Sequence, residues 1–253
     1  MANVWAIARR EVRSYFSSPI AYVVLTLFAL IFGFLFFVYL QSFASQGMGR
    51  GFGGAQVQNL NQDLIRWLLT DAAWLLVFLI PLLTMRSFAE EIRSGTIELL
   101  LTSPVTDFQV VLGKFFGALV LYLCMLLLTS LHMGILFLFG DPEWKPLLTG
   151  YLGVFLFGSS LISLGLAFSN LTRNQIVAAI ASLVAFLFLA FFQSGESWGG
   201  AAGGFITYLS ATGHLDELAK GVVDTRDLIY YASFIGFGLF LSKQAVESLR
   251  WRG

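Results

Sequence analysis

From Ala21 to Leu40 the chain runs through twenty residues without a charge, and it is the first of several such runs. Twenty apolar residues wound as a helix rise about 30 Å, the thickness of the hydrocarbon core of a bilayer. The runs are continuous rather than alternating, which suits spanning helices and not the strands of a membrane barrel. Composition agrees: 57% of the chain is hydrophobic and 12% charged, against about 25% charged in soluble domains. The expected fold class is an all-α polytopic membrane protein with six transmembrane helices. The spans are placed at 21–40, 65–84, 110–139, 147–168, 176–192 and 228–242 in a single domain covering 1–253.

The segments between the spans are short and legible. Residues 1–18 read as an amphipathic helix lying in the membrane interface, with Trp5, Ala8, Val12, Tyr15 and Phe16 on one side and Arg9, Arg10 and Arg13 on the other. Pro19 breaks its direction. Pro81 can bend the second span, because the carbonyl one turn back loses its donor. Thr106 and Gln109 form a capping-box pattern at the start of the third, and Lys114 lies near enough to that start to reach back to the interface. Residues 193–226 form a long loop before the last span. Lys243–Gly253 reads as a polar tail.

Charge orients the chain. With six spans both termini share a side, and ten basic residues fall there (Arg9, Arg10, Arg13, Arg86, Arg93, Lys114, Arg173, Lys243, Arg250, Arg252) against five on the other (Arg50, Arg66, Lys145, Lys220, Arg226). The excess marks the cytoplasmic side. Both termini are therefore expected in the cytoplasm of a bacterial inner membrane protein, with the 193–226 loop outside.

Little of the chain invites chemistry. The glycine run Gly47–Gly54 lacks the Lys-Ser/Thr of a phosphate loop and follows no strand, so it reads as a flexible loop. Neither H-E-x-x-H nor G-x-S-x-G occurs. No catalytic, cofactor-binding or metal-binding residue is expected, and the chain is not expected to be an enzyme. Single Cys124 excludes an internal disulfide. His132 is the one titratable group well inside a span. It lacks a second ligand at metal spacing and reads as a packing histidine, with Ser130, Thr129 or a backbone carbonyl on a neighbouring helix as its partner. Thr129, His132, Ser159 and Ser163 are the polar spots that could line a path or glue helices together; Gly158, Ser159 and Ser163 make a small-residue face for close packing. His214, near Asp216, Glu217, Asp224 and Asp227, lacks a second nitrogen or sulfur ligand and reads as a solvated helix surface.

One polar island stands out, residues 86–107 between the second and third spans. Glu90, Glu91, Arg93 and Glu98 gather there, punctuated by Gly95 and Pro104. Gly95 allows a sharp turn, and Thr96 can cap a short helix over Ile97, Glu98, Leu99, Leu100 and Leu101. Ile97, Leu100 and Leu101 share one helical face, Glu98 offers a rim contact to a basic partner, and Pro104 redirects the chain into the third span. Exposed leucines beside a membrane are a liability unless something covers them.

The run FAEEIRSGTIELLLTSPVTDFQVVLGKFFGA, from Phe88 to Ala118, resembles the segment between the second and third spans of type-2 ABC transporter permeases. The outer segment KGVVDTRDLIYY, Lys220–Tyr231, resembles the gliding-motility (GldF-like) branch, with the nitrous-oxide-reductase maturation (NosY-like) permeases as relatives. The resemblance implies that Glu90, Glu91, Arg93, Gly95, Thr96, Ile97, Glu98, Leu99, Leu100, Leu101 and Pro104 form a coupling segment that sits in a cleft of a separate ATPase subunit. It further implies that ATP and Mg are bound by that ATPase and not by this chain. The implied partners are two ATPase subunits, a second permease copy or paralogue, an auxiliary extracytoplasmic protein and membrane lipids, with no nucleic acid. The function so implied is an ATP-driven, exporter-type permease. The alternative is a membrane scaffold that recruits an ATPase and auxiliary proteins without moving a substrate.

Overall fold

The computed structural model describes residues 2–49, 59–98, 104–191 and 208–250. Among them there are helices and no strand. Helix α1 covers Ala2–Ser17, α2 Pro19–Gly49, α3 Arg66–Thr84, α4 Ala89–Ser94, α5 Asp107–Phe139, α6 Trp144–Asn170, α7 Gln175–Phe191, α8 Ala211–Ala219 and α9 Thr225–Arg250. A five-residue π-helical turn, Asn61–Ile65, leads into α3.

Among the described residues four segments are long and apolar enough to cross a membrane: Pro19–Ser45, Asn61–Ser94, Asp107–Phe139 and Trp144–Asn170. Helix α7 is a shorter apolar helix within the described residues. The uncharged part of α9, 228–242, rises roughly 22 Å at about 1.5 Å per residue, less than a full hydrocarbon core.

Local chemistry sets the helix ends. Ser18 accepts from the Ile20 N–H at 3.4 Å, and Pro19 takes the first helical position of α2, where a missing N–H costs nothing. The capping box at α5 forms as expected: the Thr106 hydroxyl accepts from Gln109 N–H, and Gln109 Oε1 accepts from Thr106 N–H, both at 3.3 Å. Pro81 lies inside α3, which continues helical to Thr84. The polar segment expected as a tail is helical through Arg250, and the segment expected as an outer loop holds α8. Ser210 caps α8 by accepting from Gly213 N–H at 3.2 Å. Of the glycine run expected as a flexible loop, 47–49 end helix α2 and 50–54 lie outside the described residues, as do 192–207.

Helix α6 is the centre. It packs against α9 most extensively and also meets α3, α5, α7 and α8. Three of its serines are turned to their own backbone, Ser159 donating to Phe155 O at 2.6 Å, Ser160 to Phe157 O at 2.6 Å and Ser163 to Ser160 O at 2.8 Å. In a bilayer such back-bonding satisfies the hydroxyl and leaves a smooth surface for a neighbour. The far end is tied polar to polar. Buried Asn61 clamps Glu143 by donating to its carbonyl at 2.7 Å and accepting from its N–H at 2.9 Å.

Helix α1 lies on α5 with Val4, Ile7, Ala8 and Glu11 inward. Trp5, expected on the same side as Ala8, is 69% exposed. The inward face is rotated because α5 offers a bare backbone there. A Cβ on Gly113 would stand 2.6 Å from Ile7 Cβ, and one on Gly117 would stand 2.6 Å from Glu11 Cβ. Glycines four apart give α1 a groove, and the residue that enters it at the second position is an acid.

Candidate functional site

The island begins where α3 ends. Its first turn, Met85–Phe88, folds back on α6: the Ser169 hydroxyl accepts from Phe88 N–H and Ala89 N–H, each at 3.1 Å, and donates to Met85 O at 3.0 Å. One buried serine thus satisfies three backbone groups that a tight turn would otherwise orphan. Phe88 and Ala89 are fully buried beside it. Ser169 lies in the last turn of α6, and nothing in its sequence pairs it with the island.

Beneath this turn sits Lys114, 1% exposed. Its ammonium donates to Ser87 O at 2.6 Å and pairs with Glu91 Oε1 at 3.0 Å and Glu11 Oε2 at 3.3 Å. The Phe88 ring faces it at 5.0 Å, a cation–π distance. Lys114 therefore does not reach back to the interface as its position in the sequence suggests; the acids come to it. The Arg10 guanidinium reaches the same Glu91 oxygen at 2.9 Å. Two cations, Lys114 and Arg10, and two carboxylates, Glu11 and Glu91, balance to zero, the condition under which buried charge is tolerated. Beside them Arg86 binds Glu90 at 2.7 Å and the Ser18 hydroxyl at 2.9 Å. Tyr15 and Ser87 share a hydroxyl hydrogen bond at 3.0 Å. Burial, with Glu11 next in weight, pushes the Tyr15 phenol far above its ordinary range, so it stays neutral. Together Glu11, Ser14, Tyr15, Arg86, Glu90 and Lys114 help line a cleft of ≈170 Å³.

The outer end of the island is built the other way. Helix α4 closes at Gly95, whose φ of 74° is the left-handed value that glycine adopts without strain, with its N–H on Ile92 O at 3.4 Å. Arg93, Ser94, Gly95, Thr96 and Glu98 are exposed. Thr96 shares a hydrogen bond with Ser94 at 2.9 Å. Ile97 is 6% exposed and belongs to the hydrophobic core, so it anchors the segment instead of offering a face outward. Leu99, Leu100 and Leu101 lie outside the described residues. Pro104 is exposed at the return toward α5.

The polar spots in the spans are all engaged. Thr129 donates to Leu126 O at 2.7 Å and bonds the Tyr151 hydroxyl at 2.9 Å. His132 Nδ1 lies 3.0 Å from Leu128 O, and the Phe32 and Phe36 rings of α2 meet it edge-on at 5.3 Å each. It packs, and its backbone partner is on its own helix. At the opposite end His214 is not a solvated surface residue. Its Nδ1 faces Asp227 Oδ1 at 2.7 Å, its Nε2 faces Tyr208 O at 2.9 Å, and Tyr230 stacks on it at 4.0 Å. No group of three or more metal-ligating side chains occurs among the described residues.

Sequence reading missed Glu11, Arg10 and Ser169. A lysine flanked by glycines within an apolar run, G-K-F-F-G at 113–117, was the available signal, but one of its two counter-ions, Glu11, is 103 positions away.

These features define a multi-pass helical membrane protein with a buried charged root and an exposed polar tip between two of its spanning helices. The family model for the ABC-2 family transporter proteins matches residues 5–237, nearly the whole chain, and the chain belongs to that family. It is thus a permease subunit of an ABC transporter, of a kind that pairs with an ABC ATPase subunit. A search of curated proteins finds none that matches it.

Proposed function

We propose that this chain carries motion from a separate ABC ATPase into a six-span bundle, as an exporter-type permease of the bacterial inner membrane with both termini in the cytoplasm. The segment 86–107 is the contact. The observation that supports this is its division of labour. The root, Ser87–Glu91, is fastened to α1, α5 and α6 by Lys114 and Ser169, whereas Arg93–Thr96 and Glu98 are free at the tip. A push on such a tip reaches the spans instead of being absorbed in a slack loop. ATP and Mg sit on the partner, and this chain hydrolyses nothing. The resemblance to type-2 ABC permeases supports the reading that a second copy or paralogue completes the complex, with an auxiliary extracytoplasmic protein as a further partner.

The test is ATP turnover of the purified complex in lipid. Glu98→Arg combined with Leu100→Asp is expected to abolish the response of the ATPase to the permease while both chains remain folded. Unchanged turnover would refute the coupling role.

A second reading draws on the spans. Thr129, His132, Ser159 and Ser163 all spend their polar groups on internal bonds, which favours a scaffold that transmits force without passing a substrate through a single copy. Coupling that survives while no candidate substrate alters ATP turnover in liposomes would select the scaffold.

A further inference from the structure

Lys114 is more than a satisfied buried charge. Its ammonium touches three elements at once: α1 through Glu11, the turn after α3 through Ser87 O, and α4 through Glu91. We propose that Lys114 is the positioning residue that makes α1, α4 and the start of α5 move as one body when the ATPase pushes on the island; this rests on the permease reading above.

Three observations carry it. The ammonium is 1% exposed, so an acceptor that pulls away leaves a buried charge short of a partner, which is costly. Apolar contacts on the same helices can slide by a fraction of an ångström at little cost; this one cannot. The pocket is also built for it. Gly113 and Gly117 on either side let α1 approach the α5 backbone so closely that Glu11 comes within reach; a side chain at Gly113 would collide with Ile7 of α1, and one at Gly117 with Glu11 itself. Finally, Glu91 is claimed twice through one oxygen, by Lys114 and by Arg10, so α4 is bound to both α5 and α1. Among the described residues its other oxygen is buried without a hydrogen-bond partner, so the two cations orient the carboxylate.

The experiment is pulsed electron–electron distance measurement on the permease–ATPase complex in lipid nanodiscs, with and without a non-hydrolysable ATP analogue. Cys124 is replaced by Ala, and spin labels are placed in pairs at exposed Ser17 (α1), Ser94 (α4) and Ser248 (α9). In the otherwise native chain the analogue is expected to shift the Ser94–Ser248 distance and leave Ser17–Ser94 unchanged. Lys114→Met, similar in length but uncharged, is expected to keep the Ser94–Ser248 shift and to make Ser17–Ser94 change as well, because α4 then moves without α1. Lys114→Arg, which keeps the charge, is expected to restore a constant Ser17–Ser94 distance. Glu11→Gln cuts only the α1 arm and is expected to give the Met phenotype in weaker form; it carries the test should Lys114→Met fail to fold. A Ser17–Ser94 distance that stays constant in Lys114→Met, or in Glu11→Gln alone where the former does not fold, overturns the inference and leaves the permease reading standing. No nucleotide-dependent Ser94–Ser248 shift in the native chain overturns the permease reading and the inference together.

Discussion

Gly158 of α6 lies directly under the ring of Tyr122 of α5: a Cβ at Gly158 would stand 2.3 Å from Tyr122 Cζ. Tyr122 is fully buried, and its hydroxyl donates to Val154 O one turn earlier on α6. The ring cannot lift without breaking that bond. Gly158→Ala is therefore expected to destabilise the bundle by about 1–3 kcal/mol, the usual cost of overpacking, read as a lower melting temperature in detergent. Gly236→Ala on α9 is the internal comparison, since nothing lies within 4 Å of the added methyl. There the helix-propensity gain of up to ~1 kcal/mol should leave the protein as stable or more so.

Arg66 and Asp216 tie the start of α3 to α8 across 150 positions, through three hydrogen bonds of 2.7–3.0 Å, with Lys220 adding a fourth contact at 2.9 Å. Burial works against the Asp216 carboxylate, but Lys220 and Arg66 outweigh it and hold the group below its ordinary 3.8. A carboxyl whose folded value is depressed adds stability above its unfolded value and loses it as pH falls through the folded one. Acid titration of unfolding should show this loss below pH 3.8, and Asp216→Asn should remove that part of the slope. At neutral pH the same substitution is expected to cost roughly 1–3 kcal/mol, the range of charge-assisted hydrogen bonds in a partly buried setting.

The capping box at the start of α5 gives a milder expectation. Thr106→Ala leaves the Gln109 N–H without its side-chain acceptor, at a cost of about 1 kcal/mol. Hydrogen exchange should quicken at Phe108–Val110 and stay unchanged near Thr129. Equal quickening along the whole helix would mean that the cap is not what holds this end.

How much of this was visible beforehand depends on the distance over which the chemistry acts. Helix class, the turn at Gly95 and the Thr106–Gln109 cap follow from residues within a few positions of one another, and each is present. The facing of α1 was not legible: its wheel offers Trp5 and Val4 as rival inner faces, and only the Gly113–Gly117 groove on α5 decides between them. Lys114 looked like a residue on its way to water because Glu11 and Glu91 become its neighbours only after the bundle closes. His214 looked solvated for the same reason, since Tyr208, Tyr230 and Asp227 are assembled around it from other elements. The polar island was recognisable as a unit, but not its partition. Ile97 reads as part of an outward apolar face and is in fact core, two residues past the left-handed turn at Gly95.

The most direct measurement is site-specific crosslinking in the assembled complex. With Cys124 replaced by Ala, a photoreactive group on a single cysteine at exposed Thr96 is expected to capture the ABC ATPase subunit, and the same group at exposed Arg226, beside α8 at the other end, is expected to capture none. Capture from Arg226, or no capture from Thr96 in a complex that hydrolyses ATP, would contradict the assignment of residues 86–107 as the coupling surface.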